Sequence, residues 1–447
     1  MRGSYPSLHQ LPSPAAGRLV NTARFIAQPL QALEGWARLG GRVHIPLLGM
    51  DLLFLTDPDD IGEVLLDKEG ALIKDELTRG LSRVLGEGLL TSDGAHWRRH
   101  RQLAAHAFTP RRISAYAEIM SRRSLTFIER LPRDRAFDLH REMAEIAVEI
   151  VAETLFGADV SADAAKVGAA LDTINDYFAR SLESILQLPL SLPTPRNLQL
   201  RRATAAIEGV LERVVKEREA SGEDGGDLLS ALLRARDEEG GRLSPEALRD
   251  ETMTLFLAGH ETTALTLAHA LYLLAKHPVE RARIEEEVDR VLGGRMATAD
   301  DLPKLEHTER VIRETMRLYP TAWSMGRESA EDAIVAGAMI PKGTQIILSQ
   351  WVTHRDDRFY RSPLLFMPDR WTGEMKRSLP RYAYFPFGGG ARVCIGNRFA
   401  EQEAVLVLAA IASKLRIHLE ERQRLGFSPS VTLRPAKNLI ARAELRR

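Results

Sequence analysis

The chain has 447 residues, 44% of them hydrophobic and 27% charged, which is an ordinary composition for a soluble globular protein. Lysine plus arginine and aspartate plus glutamate number 61 each, so the overall charge predicts no nucleic acid or other polyanionic partner. A single cysteine excludes an internal disulfide, a zinc ribbon and an iron–sulfur cluster held by this chain alone. Such cysteine usage fits a reducing cytoplasm best.

The N-terminal stretch MRGSYPSLHQLPSPAAGRLV lacks an apolar segment of signal-peptide length. No other stretch approaches the roughly 20 apolar residues that a membrane span needs. We therefore expect a soluble, cytoplasmic protein without a membrane anchor.

In chain order, residues 43–58 predict two short strands around a turn at Gly49. Residues 58–318 are overwhelmingly helical in pattern, with short loops at 221–227 and 237–241. A second strand-like segment covers residues 332–351. The sequence predicts a mainly α protein with a minor β part, folded as a single domain over residues 1–447.

One predicted helix is unusually long. It begins at Ser244-Pro245-Glu246, with an N-cap serine and a proline in the first position, and no breaker follows before His277-Pro278. About 31 residues would span roughly 46 Å. Its apolar middle, TLFLAGHETTALTLA, nevertheless contains a glycine, a glutamate and adjacent threonines. A buried carboxylate is costly in such a helix, so this segment is a candidate for function.

Cys394, the only cysteine, lies in the stretch FPFGGGARVCIGNRFA. The glycines at 388–390 predict a loop, and a helical pattern resumes after Gly396, which puts the thiol at a helix N-terminus that favours a thiolate. No phosphate-loop glycine spacing is present. Taken alone, the residue could be a small core side chain, a nucleophile with a histidine nearby in space, or a metal ligand.

The pattern F-x-x-G-x-R-x-C-x-G over residues 387–396 resembles the haem-binding loop of the cytochrome P-450 family. The resemblance implies that Cys394 is the thiolate ligand of the iron in haem b. It further implies a fold in which a helical bundle with small β-sheets surrounds the long central helix. Other residues of the loop that it assigns to haem binding are Phe387, Gly388, Arg392 and Gly396.

Two further motifs match the family upstream and downstream of the long helix. Trp97-x-x-x-Arg101 resembles the W-x-x-x-R whose side chains bind a haem propionate, and Arg327 resembles another propionate partner. For some of these arginines a solvated basic helix face is the alternative. His354-Arg355 also matches a family pattern, with a role that the resemblance leaves open.

A third motif predicts structural support for the cysteine loop. Glu314-x-x-Arg317 matches the family's E-x-x-R, and its side chains share one helix face. Arg370, within Pro368-Asp369-Arg370-Trp371, resembles the third member of this set. The resemblance makes Glu314, Arg317 and Arg370 a buried structural triad.

The middle of the long helix matches the family's oxygen-binding motif, [AG]-G-x-[DE]-T-[TS], at residues 258–263. Ala258 and Gly259 would face the haem, and a threonine hydroxyl can bond the carbonyl of Ala258 four residues earlier. The resemblance implies that Thr262 orients the protons delivered to O₂ and that Glu261 supplies them. For Thr263, helix packing is the stronger interpretation.

The implied activity is that of a haem-thiolate monooxygenase, which would use O₂ and two external electrons to hydroxylate or epoxidise an apolar small molecule. Fatty acids, terpenoids, steroids and polyketide-like compounds are the candidate substrates. A peroxide-using or isomerising haem-thiolate enzyme and a non-catalytic haem-binding protein are the alternatives. Neither needs the acid–threonine pair.

The resemblance also indicates, without a diagnostic residue, where substrate and electron donor would bind. The basic stretch from His96 to Arg112 could dock an acidic ferredoxin or flavodoxin, with Arg111 and Arg112 outermost. The predicted substrate pocket is lined by Leu255, Thr321, Ala322, Trp323 and Val431.

Overall fold

The computed structural model of the protein describes residues 5–67, 70–157, 163–183, 189–222, 224–234, 241–420 and 423–446. Its α-helices are α1 Arg18–Ala27, α2 Pro29–Ala37, α3 Pro58–Leu66, α4 Glu76–Gly80, α5 Ser82–Leu85, α6 Gly94–Ala105, α7 Pro110–Arg130, α8 Leu139–Phe156, α9 Ala164–Glu183, α10 Pro195–Ser221, α11 Leu228–Arg234, α12 Pro245–Lys276, α13 Pro278–Leu292, α14 Glu306–Leu318, α15 Gln350–Thr353, α16 Gly373–Ser378 and α17 Asn397–Lys414. Its strands are β1 Arg42–Leu47, β2 Met50–Leu55, β3 Leu72–Ile73, β4 Phe137–Asp138, β5 Met325–Ser329, β6 Ala333–Val335, β7 Ala338–Ile340, β8 Gln345–Leu348, β9 Leu415–Leu419, β10 Phe427–Pro429, β11 Leu433–Pro435 and β12 Ile440–Leu445.

The long central helix is confirmed as α12. The side chain of Ser244 caps it by accepting the backbone N–H of Ala247 at 3.2 Å, and Pro245 occupies the first turn. It ends at Lys276, because His277 leaves helical geometry ahead of Pro278. Helices α8, α10, α14 and α17 pack around it, so most of its surface is buried.

The predicted strands of both segments are also present. β1 and β2 pair antiparallel on either side of Gly49, whose φ of +79° suits a glycine turn. β8 runs parallel to β2, which gives a five-stranded sheet in the order β1-β2-β8-β5-β3. The C-terminal strands β9 to β12 have no counterpart in the sequence prediction. β12 joins β4 and β9 in a three-stranded sheet, and β10 pairs with β11.

Three buried apolar clusters hold these elements together. The largest lies among α7, α8, α12 and α17, the second lies under the five-stranded sheet, and the third joins α1 and α2 to the outer strands β1 and β2. The mainly α fold with small sheets is therefore confirmed. Most of the predicted loop at 237–241 lies outside the described residues, and a single domain over residues 1–447 stays a prediction. None of the described helices has the length and apolar character to cross a membrane.

Candidate active site

The loop before Cys394 is shaped by glycines that no other residue could replace without a rearrangement. Gly388 and Gly390 have φ values of +70° and +64°. A Cβ atom on Gly390 would lie 1.9 Å from the carbonyl oxygen of Leu65 at the end of α3. The backbone N–H of Cys394 donates to the carbonyl of Phe387 at 2.9 Å. α17 then begins at Asn397, so the thiol lies just before a helix N-terminus, as predicted.

The Cys394 side chain is accessible although protein atoms surround it closely, so it faces an internal cavity. Burial raises the pKa of its thiol, while the backbone N–H of Gly396 and the charge of Arg101 lower it. Burial wins, and the helix N-terminus alone does not ionise this thiol. A metal ion at the sulfur deprotonates a thiol outright. The site therefore favours a thiolate when a metal is coordinated.

The middle of α12 also opens onto an internal space. Most of its side chains there are buried, but Ala258 is exposed and Thr262 is half-buried, one helical turn apart on the same face. The Thr262 hydroxyl donates to the carbonyl of Ala258 at 2.9 Å, which confirms the predicted hydrogen bond. His260 points elsewhere, since its buried ring stacks against Phe256.

The predicted structural triad has the expected contacts. Arg317 donates to both carboxylate oxygens of Glu314 at 2.8 and 2.9 Å, and Arg370 donates to the same carboxylate at 2.9 Å. Glu314 and Arg317 are fully buried. The indole N–H of Trp371 and the backbone N–H of Met367 complete the set around Glu314, each at 2.9 Å. Trp371 is thus a fourth side-chain member that sequence reasoning did not assign.

His354, whose role the sequence left open, connects this triad to the cysteine loop. Its carbonyl accepts from Arg317 at 2.8 Å, and its Nε2 accepts the backbone N–H of Phe385 at 2.9 Å. Burial, followed by the charges of Arg317 and Arg355, holds the pKa of His354 well below its usual range, so the imidazole is neutral and can accept.

Three of the predicted propionate partners, Trp97, Arg327 and Arg392, lie together, whereas the charge of Arg101 acts on Cys394. Arg392 lies over the ring of Trp97 at 4.3 Å, and it donates to the carbonyl of Ser92 at 3.2 Å and to the carboxylate of Asp93. Arg327 is buried, and it donates a local hydrogen bond to the carbonyl of Gly326 at 2.7 Å. Burial lowers the pKa of Arg327, and the nearby charge of Arg392 lowers it further.

Lys74, at the end of β3, adds a cation that sequence reasoning missed. Its side chain is buried, and burial together with Arg327 and Arg392 lowers its pKa to about 7. Within the described part of the chain its ammonium makes no hydrogen bond or ion pair. Asp93 is the ion-paired carboxylate of this group of three basic side chains, and the charges of Asp67 and Asp75 also act on it. Lysine and arginine donors gathered in this way suit a carboxylate ligand. The two carboxylates of a haem fit this group.

The family model of cytochrome P450 matches residues 14–441. The chain belongs to the cytochrome P450 family. It is 36% identical over 427 residues to cyclooctatin synthase of Streptomyces melanosporofaciens, covering 94% of this chain and 92% of that protein. It is 36% identical over 341 residues to pentalenene oxygenase of Streptomyces avermitilis, covering 75% of each. The crystal structure of the cytochrome P450DA heme domain superposes with a TM-score of 0.86 at 27% identity, over 98% of this chain and 97% of that one.

As a cytochrome P450, the protein is an oxidoreductase of the monooxygenase class. Its cofactor is haem iron with a thiolate ligand, and its co-substrates are O₂, an organic molecule and electrons from a redox partner.

Glu261 of this P450 is tied into an ion pair that the sequence did not reveal. Arg434, on β11, donates to its two oxygens at 2.6 and 2.8 Å. Burial alone would raise the pKa of Glu261, but the charge and hydrogen bonds of Arg434 lower it to about 2. Arg434 also reaches Asp172 on α9 at 3.3 Å. The single signal in the sequence was the buried carboxylate itself, which requires a cation somewhere in the fold.

The predicted substrate-lining residues divide into two groups. The carbonyl of Thr321 accepts the N–H of Leu433 at 2.9 Å, so the segments holding Thr321 and Val431 are neighbours in the P450 fold. Leu255 is buried on α12, and Ala322 is half-buried. The prediction for Trp323 is wrong: its ring lies in the apolar cluster under α1 and α2, and its indole N–H donates to the carbonyl of Ser430 at 2.8 Å.

The two arginines predicted to dock an electron donor also differ. Arg111 is exposed at the start of α7, whereas Arg112 is half-buried and donates to the carbonyls of Gly226 and Asp227. Arg112 therefore holds the start of α11 and is a poor docking residue. A Cβ on Gly396 would lie 3.6 Å from the ring of Phe108, which places the segment before α7 against the cysteine loop.

Proposed function

We propose that this P450 hydroxylates or epoxidises a terpenoid. The support comes from two relatives: the names of pentalenene oxygenase and of cyclooctat-9-en-7-ol 5-monooxygenase of Streptomyces melanosporofaciens specify cyclic hydrocarbon or terpenoid-alcohol substrates. The second protein is 33% identical over 408 residues. An apolar ring system carries few groups that hydrogen-bond, so such a substrate is oriented by shape against apolar walls.

In this proposal the bound group is haem b, and Cys394 supplies its thiolate ligand. Arg327, Arg392 and Lys74 pair with its carboxylates, assisted by Trp97 and Arg101. The thiolate-bound haem supplies the activation of O₂ when it is present. The remaining residues of the loop, Phe387, Gly388 and Gly396, would shape the surface against which the macrocycle packs, and Ala258 would face it from α12. The prediction for Gly259 needs correction, since a Cβ on Gly259 would lie 3.2 Å from Val151 on α8.

Thr262 is the proposed site of proton delivery. The reaction RH + O₂ + 2e⁻ + 2H⁺ → ROH + H₂O consumes two protons, and the site must bring both to the same oxygen atom. The Thr262 hydroxyl, donating to Ala258, can rotate to accept one proton and donate another without a charge on the side chain.

Glu261 is the proposed entry point of protons, but its proposed role differs from the predicted one. Because Arg434 keeps the carboxylate ionised at neutral pH, Glu261 does not hold a proton in this arrangement. It becomes an acid only when Arg434 shifts toward Asp172. Glu261 therefore accepts each proton from solvent before passing it on. It does not act as a general acid that is already protonated in the resting protein.

The proposed electron donor is a ferredoxin or flavodoxin. The exposed arginines Arg98, Arg111 and Arg398 flank the cysteine loop in the chain or in space, and an acidic partner would be attracted to them. Turnover with either donor is expected to fall as ionic strength rises. Turnover that is independent of salt would refute this docking mode.

The substrate proposal is tested by optical titration of the ferric protein. Cyclic sesquiterpene and diterpene hydrocarbons, and their mono-alcohols, are expected to shift the Soret band by displacing the water ligand and to yield one oxygenated product with reconstituted donors. Linear fatty acids of matched carbon number are the control. A shift and product formation confined to the fatty acids would overturn the terpenoid proposal. Product formation with peroxide alone, and none with O₂ and electrons, would favour the peroxide-using alternative.

A further inference from the structure

Two histidines and an aspartate come together at the β1 edge of the five-stranded sheet, and the proposed reaction uses none of them. His9 lies in the N-terminal turn Leu8–Gln10, His44 lies on β1 and Asp51 lies on β2. One nitrogen or oxygen atom from each side chain lies within 4.8 Å of the other two. Within the described part of the chain, this is the one group of three or more His, Cys, Asp or Glu side chains with that spacing.

The backbone of the N-terminal segment brings His9 to the sheet. The backbone N–H of His44 donates to the carbonyl of Pro12 at 2.9 Å, so this segment lies along β1. Leu8, next to His9, is buried in the apolar cluster under the sheet. The ring of His9 itself is exposed and meets the buried ring of His44 edge to face, with their centroids 4.9 Å apart. The fold therefore fixes the backbone beneath His9 and leaves its ring open to solvent.

The chemistry of the three side chains suits a transition metal. Two imidazoles and one carboxylate are ligands typical of Zn²⁺, whereas Mg²⁺ and Ca²⁺ prefer oxygen ligands alone. Ligand atoms on a tetrahedral zinc ion lie about 3.4 Å apart, given bonds of about 2.1 Å. Because Nε2 of His44 lies 2.7 Å from Oδ1 of Asp51, these two atoms would separate by about 0.7 Å. Small rotations of the side chains are enough for shifts of this size.

Arg18 already binds the carboxylate of Asp51 and would oppose a cation there. Its guanidinium donates to the two carboxylate oxygens at 2.8 and 3.0 Å, and to the carbonyl of Leu47 at 2.7 Å. Burial raises the pKa of Asp51, but the hydrogen bonds from His44 and Arg18 together lower it, so the carboxylate is ionised at neutral pH. A carboxylate has about four lone-pair sites, and these bonds leave one of them free. Asp51 can thus bind an ion while it keeps Arg18, although the charge of Arg18 weakens the binding.

We propose that His9, His44 and Asp51 bind one zinc ion, with water as the fourth ligand on the exposed side. The ion would fasten the N-terminal segment to β1 and β2, and its role would be structural. It takes no part in the chemistry at the haem, so the proposal stands independently of the proposed function.

Zinc uptake by the tag-free ferric holoenzyme tests the site, with haem kept in place so that Cys394 does not compete for zinc. After dialysis against zinc sulfate, zinc and haem iron are counted by elemental mass spectrometry. His9→Gln should bind one zinc fewer per haem iron than the unmodified protein. His418→Gln is the matched control and should bind as much as the unmodified protein, since His418 is also exposed and lies 3.0 Å from a carboxylate, that of Glu444. Equal uptake by His9→Gln and the unmodified protein would overturn the proposal.

Arg18→Gln tests whether Asp51 is a ligand. Removing a positive charge beside a divalent ion should tighten zinc binding on the order of tenfold, measured by calorimetric titration of the holoenzyme. Affinity that is unchanged or weaker would remove Asp51 from the site and overturn the assignment of three ligands.

The structural role is measured by chemical denaturation of the same holoenzyme. At free zinc about a hundred times the dissociation constant, the unfolding constant should fall about a hundredfold in the unmodified protein and in His418→Gln. It should be unaffected by zinc in His9→Gln. Zinc that binds without changing the unfolding constant of the unmodified protein would refute the structural role.

Discussion

Replacement of Arg434 by methionine isolates the ion pair that holds Glu261. The variant keeps an apolar side chain of similar length and removes the guanidinium that donates at 2.6 and 2.8 Å to the carboxylate. A pKa of about 2 in place of the ordinary 4.5 corresponds to roughly 3 kcal/mol of stabilisation. Removing one partner of a buried ion pair typically costs about 3–5 kcal/mol, so the two figures agree.

The sign of the effect fixes its pH dependence. Because the folded-state pKa of Glu261 is lowered, the pair stabilises the fold fully above about pH 4.5, and this contribution disappears as pH falls toward 2. Chemical denaturation of the unmodified and Arg434→Met proteins should therefore differ by about 3 kcal/mol at pH 7 and by less than about half of that near pH 3.

Two further variants sharpen this comparison. Arg442→Met, on an exposed position of β12, is the matched control and should change stability by about 0.5 kcal/mol or less. Glu261→Gln added to Arg434→Met should restore part of the lost stability, since it removes the unpaired buried charge. A loss below about 0.5 kcal/mol at pH 7, or one that is constant down to pH 3, would refute the assignment of the pair.

Three other predictions follow from the site. Thr262→Ala should leave haem content and substrate-induced spectral shifts unchanged but divert electrons to peroxide, measured as peroxide released per electron; unaltered coupling would contradict proton delivery by this hydroxyl. Lys74→Met should speed haem transfer to a haem-scavenging protein several-fold, because it removes one of the basic groups proposed to pair with the haem carboxylates; an unchanged rate would exclude that pairing. Glu314→Gln should destabilise the fold by about 3 kcal/mol or more, measured by denaturation, since it leaves Arg317 buried without its partner.

The sequence predicted the site best where the function requires a fixed spacing between residues along the chain. The motifs around Cys394 and Glu314 each have a fixed residue spacing in the chain, and the structure brings their members into contact. Trp97, from a third motif, contacts Arg392 of the cysteine loop. Lys74 and Arg434 escaped detection because each is a single cation in or just after a short strand, and the charged groups that act on it lie in remote elements. The roles of these two side chains depend on their burial in the fold, and the sequence pattern does not show which charged residues are buried.

Other errors arose because the position of a residue in the chain does not determine the direction in which its side chain points. Trp323 lies two residues after Thr321 in the chain, but the backbone bends at residues 321 and 322, and the ring of Trp323 packs under the N-terminal helices. Arg112 likewise adjoins the exposed Arg111 yet turns inward to the start of α11. The strands β10 and β11 were missed because three residues are too few for an alternation to stand out. The strands β9 and β12 carry charged or polar side chains at every second position and so lack the apolar run by which β1 and β2 were predicted.

The connection from Glu314 to the cysteine loop has a consequence for assembly. Arg317 holds His354, His354 holds the N–H of Phe385, and the Tyr360 hydroxyl donates to the carbonyl of Ala383 at 3.0 Å. None of these bonds involves a group outside the polypeptide. The segment leading into the thiol can thus reach its final position during biosynthesis before any prosthetic group arrives. The newly made chain then offers haem a binding site that is already formed.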